Sequence, residues 1–365
     1  MRITYGVFGY GRGHATRAAA ILPELSRRHE LQILAGGDAY DALLTRYPVT
    51  RVPTLGYVYT QQGRCSEYLT LTRNMWHVLD MLFGGPVFQT VLEAMQDFHP
   101  DVVICDAEPW THRVARRLGI PRISFDHFGI MVYCKPRIPW GDRIRSRRDV
   151  FIYRTLMGRP ERVIVSSFYD AAARRPGVCV IGPLLRDEVL RVEPARGSHL
   201  LVYFNKGEHQ FTPGIERALH EIDLPVRVYG TSRHGSDGKL SFRPPSNLPF
   251  LEDMASCRAI ISTAGNQLVG EAMYLGKPLL VMPENCVEQR LNAAFVEHLG
   301  IGRRVRHGDL EVGVVREFLS HEQAYVENIR RQARDGRREA LETIERFVRE
   351  LTGKRAELPA GTNVL

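Results

Sequence analysis

The residues with the clearest chemical capacity stand early in the chain, in Gly9-Tyr10-Gly11-Arg12-Gly13-His14. Alternate glycines let a backbone pass close to a ligand and take angles that a side chain forbids. Ile3, Tyr5, Val7 and Phe8 precede them as a strand, and Ala18, Ala19, Ile21, Leu22 and Leu25 follow at helical spacing. The helix so opened offers unpaired N–H groups and a partial positive charge, which makes Gly13 a candidate phosphate contact. A dinucleotide fingerprint does not fit, because His14 occupies the place of the third glycine. An imidazole at the carboxyl end of a first strand can instead exchange a proton near neutral pH. The alternative is a plain cap for the helix.

Two more acids end strands in the first half. Asp106 closes Asp-Val-Val-Ile-Cys, and Asp126-His127 closes the run from Ile120 to Phe125. Asp106 is expected to hold the His14 imidazole in one tautomer, as the acid of a triad does, or else to cap the next helix. Asp126 and His127 form a rival dyad, also assigned to the acceptor side.

In the second half the turn Asn205-Lys206-Gly207-Glu208 and the turn Thr263-Ala264-Gly265-Asn266 each follow a strand and open a helix. A diphosphate over Gly265 and Asn266 would meet helix N-terminal amides. Glu271, one and a half turns further on, can reach two ribose hydroxyls. Glu288 and Gln289, at another helix start, supply acceptors and donors for sugar hydroxyls. No D-x-D pair ends a strand, so a departing diphosphate would rest on Gly207, Gly265 and Lys206. No obligatory metal and no cofactor is expected.

These residues need a scaffold, and the apolar pattern describes one. Short apolar runs alternate with helices in both halves, which argues for α/β architecture with parallel sheets covered on both faces. At 365 residues the chain exceeds what one core usually serves. The expected domains are 1–183 and 184–353, with a flexible tail at 354–365. Six scattered cysteines without a C-x-x-C pair suit a reducing cytoplasm. A formal charge of +8 and a pI near 9.3 favour anionic partners.

Two stretches break the rhythm. The segment from Leu55 to Phe98 is irregular and aromatic, with Trp76 expected near an acceptor. The segment from Lys135 to Arg162 interleaves Arg137, Arg143, Arg145, Arg147, Arg148, Arg154 and Arg159 with Ile138, Trp140, Phe151 and Tyr153. It reads either as a solvated helix face or as a patch for an anionic membrane or acceptor. Nucleic acid is not an expected partner. The expected location is cytoplasmic, against the inner face of the membrane.

Taken together, Gly265, Glu271, Gly276-Lys277-Pro278, Leu279 to Met282, Pro283, Glu288-Gln289 and Asn292-Ala293 resemble the donor half of inverting nucleotide-sugar glycosyltransferases of the GT-B fold. Relatives of that kind include the peptidoglycan N-acetylglucosaminyltransferase and sugar transferases of antibiotic and glycolipid pathways. The G-x-G-H-x-x-R run from Gly11 to Arg17 resembles both these transferases and the nucleotide-sugar hydrolase of pseudaminic acid synthesis. The resemblance implies two Rossmann-like, doubly wound domains facing across a cleft, with the last helix crossing back to the first. It implies a UDP- or dTDP-sugar donor, an acceptor that is a lipid, an envelope polymer or a natural product, and a base-binding segment at Phe250 and Leu251. Hydrolysis of the donor by the same histidine is the alternative activity. Two positions depart from the family pattern: Leu268 replaces a hydroxyl residue, and Glu288 replaces an aspartate.

Overall fold

The computed structural model describes residues 1–56, 58, 66–205, 207–244 and 247–353. Lys206 and the segment 354–365 lie outside them. The apolar runs form two seven-stranded sheets. The first contains β1 (Arg2–Val7), β2 (Glu30–Ala35), β3 (Val49–Arg51), β4 (Val102–Asp106), β5 (Arg122–Asp126), β6 (Arg162–Ser166) and β7 (Val178–Ile181), all parallel, in the order β3-β2-β1-β4-β5-β6-β7. The second contains β8 (Leu200–Tyr203), β9 (Val226–Tyr229), β10 (Gly235–Asp237), β11 (Leu240–Arg243), β12 (Ala259–Ser262), β13 (Leu279–Val281) and β14 (Gly302–Arg304). Its order is β10-β11-β9-β8-β12-β13-β14, with only β10 antiparallel.

Both orders reverse direction beside the first strand of the sheet, between β1 and β4 and between β8 and β12. Helices leaving the two sides of such a point part company, and the crevice between them is where open α/β sheets bind ligands. The fold therefore sets one crevice in each lobe.

Central strands are buried on both faces, as their unbroken apolar character requires. Helix Arg12–Arg28 and the last helix, Arg337–Thr352, cover one face of the first sheet. Ala340, Ile344, Phe347 and Val348 share a core there with Ile3, Tyr5 and Ile21. The chain thus crosses between lobes twice, and the crossings touch: Gly336 N donates to Pro183 O at 2.8 Å, and Gly182 N donates to Glu339 Oε2 at 3.0 Å. A core shared by residues of both lobes includes Tyr169 stacked on Phe295, with ring centroids 3.8 Å apart. Among the described residues, no single helix is long and apolar enough to cross a membrane.

Candidate active site

The glycine turn leaves β1 through Gly11, whose φ of 84° is a left-handed value that disfavours any side chain. Gly11 N donates to Asp38 Oδ2 at 3.0 Å, which pins the turn to the helix after β2. The following helix has neither a side-chain cap nor an acidic residue in its first turn, so its leading amides remain available to an anion.

His14 lies in the first turn of that helix, and its ring packs edge-on against Phe8 at 5.3 Å. Its Nδ1 is 2.7 Å from Asp106 Oδ1 and 2.9 Å from Arg17 Nη2. A carboxylate only accepts and stands nearer, so the hydrogen on Nδ1 goes to Asp106, and Arg17 Nη2 donates to the same carboxylate rather than to the ring. This assigns the lone pair to Nε2, the state a general base requires. The His14 side chain is 23% exposed, whereas that of Asp106 is wholly buried.

Asp106 is held from below as well. Arg17 donates from Nε to Oδ2 at 2.8 Å and from Nη2 to Oδ1 at 2.5 Å. Burial pushes the Asp106 carboxyl upward, but the Arg17 guanidinium and His14 outweigh it and keep the group below the usual carboxylate range. Directly afterwards Ala107 takes φ 52°, an uncommon value for a residue with a side chain, and turns the chain out of the strand. The sequence marked Arg17 as the end of the G-x-G-H-x-x-R motif without giving it a role, and the fold supplies one as the partner of Asp106.

Across the crevice stands helix Asn266–Tyr274, which also begins without a side-chain cap or an acid in its first turn. A Cβ placed on Gly13 would come within 3.9 Å of the Gln267 Cβ, so the two helix starts face each other. A Cβ on Gly11 or Gly265 would meet no described atom within 4 Å, and the space between the turns is open. Gly207 begins a short helix after β8 and lies so close to the Gly230 carbonyl that a Cβ would overlap it.

The remaining candidates separate into those near this space and those built into the frame. Glu271 is 2% exposed and makes a two-pronged ion pair with Arg186, at 3.0 and 2.9 Å. Arg186, 85 residues away in sequence, is a partner that spacing gave no means of finding. Asn266 binds across the lobes, accepting from Phe168 N at 3.3 Å and donating to Ser166 O at 3.2 Å. Phe250 is half-buried between the Tyr203 and Tyr229 rings, each 5.1 Å away. Leu251 is wholly buried, so its side chain presents nothing to a ligand. Gln289 Oε1 accepts from Glu284 N at 2.9 Å, and Glu288 lies half-buried in the same helical turn. Trp76 is 74% exposed on helix Glu67–Phe83. Asn74 of that helix donates to Gly56 O, and Gly56 abuts the Tyr10 ring of the glycine turn.

Asp126 and His127 do not reach the crevice, contrary to expectation. Asp126 accepts from Gly129 N at 2.7 Å, from Tyr153 Oη at 2.5 Å and from Ser124 Oγ at 3.2 Å. The His127 ring lies between Ser166 O and Asn292 Oδ1, both at 2.9 Å. They join elements and bridge the lobes, and each is at most 4% exposed.

The sequence profile of glycosyl transferase family 1 matches residues 1–322 of this chain. The chain belongs to that family. An uncharacterized glycosyltransferase of Methanosarcina acetivorans is 25% identical over 390 residues, spanning 98% of this chain and 100% of its own. A second, from Methanosarcina mazei, is 25% identical over 381 residues, spanning 95% and 98%. Among solved structures, the glycotransferase of kitacinnamycin superposes with a TM-score of 0.69 at 18% identity, over 95% of this chain and 99% of that one. Phytolacca americana UGT2, complexed with UDP-2fluoro-glucose and pterostilbene, gives 0.68 at 15% identity, over 96% and 98%. The enzyme is a glycosyltransferase of the GT-B fold, and the facing helix starts occupy the crevice between its lobes.

Proposed function

We propose that the enzyme transfers a sugar from a UDP- or dTDP-sugar to an acceptor hydroxyl with inversion at the anomeric carbon, and that His14 is the base. The observation that carries this reading is the pairing of His14 Nδ1 with Asp106 at 2.7 Å in a turn that faces an uncapped helix start of the other lobe. His14 Nε2 takes the acceptor proton while the oxygen attacks the anomeric carbon. The bond to the diphosphate breaks, and its electrons leave with the phosphate oxygen. Amides of helix Asn266–Tyr274 and of the Gly207 turn offset that negative charge. Asp106 stabilises the imidazolium as it forms, and Arg17 fixes the carboxylate. Glu271, oriented by Arg186, accepts from ribose hydroxyls, and Glu288 with Gln289 contacts the transferred sugar. Phytolacca americana UGT2 in complex with a fluorinated UDP-glucose supports the choice of donor class.

Thermal-shift measurements against UDP, dTDP, GDP and their sugars identify the donor, because a ligand of the folded state raises the melting temperature. Product stereochemistry by NMR then tests inversion, and retention refutes a single displacement. Activity is expected to survive a chelator, since helix amides supply the positive field; a loss restored by a divalent cation refutes that part. Release of free sugar at the transfer rate without acceptor would move the assignment to hydrolysis.

A further inference from the structure

A second cavity, of about 560 Å³, opens between helix Gly129–Tyr133 and helix Arg143–Met157 and shares no residue with the candidate active site. Five arginines line it: Arg137, Arg143, Arg147, Arg154 and Arg174. No carboxylate lines it, and among the described residues none of the five forms an ion pair. Arg154 donates to the Val132 carbonyl at 3.2 Å. The contrast with Arg17, Arg186 and Arg290, each matched to an acid, is plain. Like charges gathered around one cavity repel each other until an anion enters.

The helix that supplies three of them is divided lengthwise. Arg143, Ser146, Arg147, Val150 and Arg154 follow helical spacing and line the cavity. The adjoining stripe carries Ile144 and Phe151, 81% and 70% exposed, and Trp140 just before the helix is 83% exposed. Large apolar side chains beside guanidinium groups, with no protein to cover them, match the chemistry of a lipid–water boundary.

We propose that this cavity seats the phosphate headgroup of an anionic phospholipid while Trp140, Ile144 and Phe151 enter the bilayer surface beside it. The cavity excludes free carboxylates from its wall and offers guanidinium forks that match phosphate oxygens. Its apolar rim has a use only where the phosphate is attached to a membrane. This site is independent of the catalytic reading, and its test does not use turnover.

The full chain is sedimented with phosphatidylcholine vesicles, with and without phosphatidylglycerol, at low and high salt. It should pellet only with the anionic vesicles, and salt should release it. Arg143→Ala with Arg147→Ala should weaken partitioning about fivefold for each arginine, whereas lysine at both positions should keep most of it. Trp140→Ala with Phe151→Ala should weaken it at unchanged charge. All four side chains are at the surface, and melting curves of the variants confirm folding. Wild-type protein left in the supernatant at low salt overturns the proposal, as does an alanine variant that pellets like wild type. Arginine-dependent stabilisation by inorganic pyrophosphate without vesicle binding also overturns it, and assigns the cavity to a soluble phosphate ester.

Discussion

His14 and His127 each follow a parallel strand of the first sheet, each with an aspartate at hand in sequence or space, and they end in opposite settings. His14 leaves β1 beside the reversal of strand order, pairs with Asp106 of the adjacent β4, and keeps an edge of its ring open to the crevice. His127 leaves β5, farther along the sheet, and both ring nitrogens are taken up by the frame. Its sequence neighbour Asp126 is no partner, because that carboxylate is taken by Gly129 N, Tyr153 Oη and Ser124 Oγ. Asp106, 92 positions from His14, is one. What separates the proposed base from the histidine built into the frame is the strand each follows.

The largest effect should come from His14→Ala. It is expected to lower kcat/KM about 10²–10⁴-fold with an unchanged melting temperature, and full activity would leave the enzyme without its proposed base. Asp106→Ala comes next, because it strands the buried Arg17 charge: a loss of about 3–5 kcal/mol in denaturant unfolding is expected, partly recovered by adding Arg17→Met. His127→Ala should behave in the reverse sense to His14→Ala. It removes one of the hydrogen bonds at each of Asn292 and Ser166 and should cost about 1 kcal/mol of stability, with kcat of the folded protein kept within a few-fold. Loss of turnover without loss of stability would collapse the distinction.

A third histidine of the same lobe, His112, sharpens the comparison through pH. It is fully buried with neither ring nitrogen bonded, and burial, then Arg122, pushes it from 6.5 down to about 3. The unfolded chain therefore binds a proton between those values that the folded chain refuses. Stability from this group is complete above pH 6.5 and is lost as pH falls toward 3, by roughly 1.4 kcal/mol per pH unit. Melting curves of His112→Phe should lack this acid-side slope, and identical slopes would show that the ring is hydrated.

Much of this was readable from residues in order. Apolar runs such as Val102 to Cys105 and Leu279 to Val281 gave strands because a doubly covered parallel strand has no polar face. The His14 turn and Asp106 were visible as strand ends. The β10–β11 hairpin was not, since Gly235 to Asp237 is exposed on every residue and carries no alternation. Arg186 stayed hidden, and Arg17 was marked by its motif but not given its partner, because an ion pair formed through the fold leaves no trace in local spacing. The assignment of Asp126 and His127 to the acceptor side failed for the same reason: burial by Tyr153 and Asn292 is a tertiary event.

The adjacency of Pro183 and Gly336 has a mechanical consequence. Both chain passages between lobes go through one narrow place, like two pins in a single hinge. Sliding one lobe past the other would break the Gly182 and Gly336 contacts. Together with the stacked Tyr169 and Phe295 rings, these contacts hold the two glycine turns in one alignment.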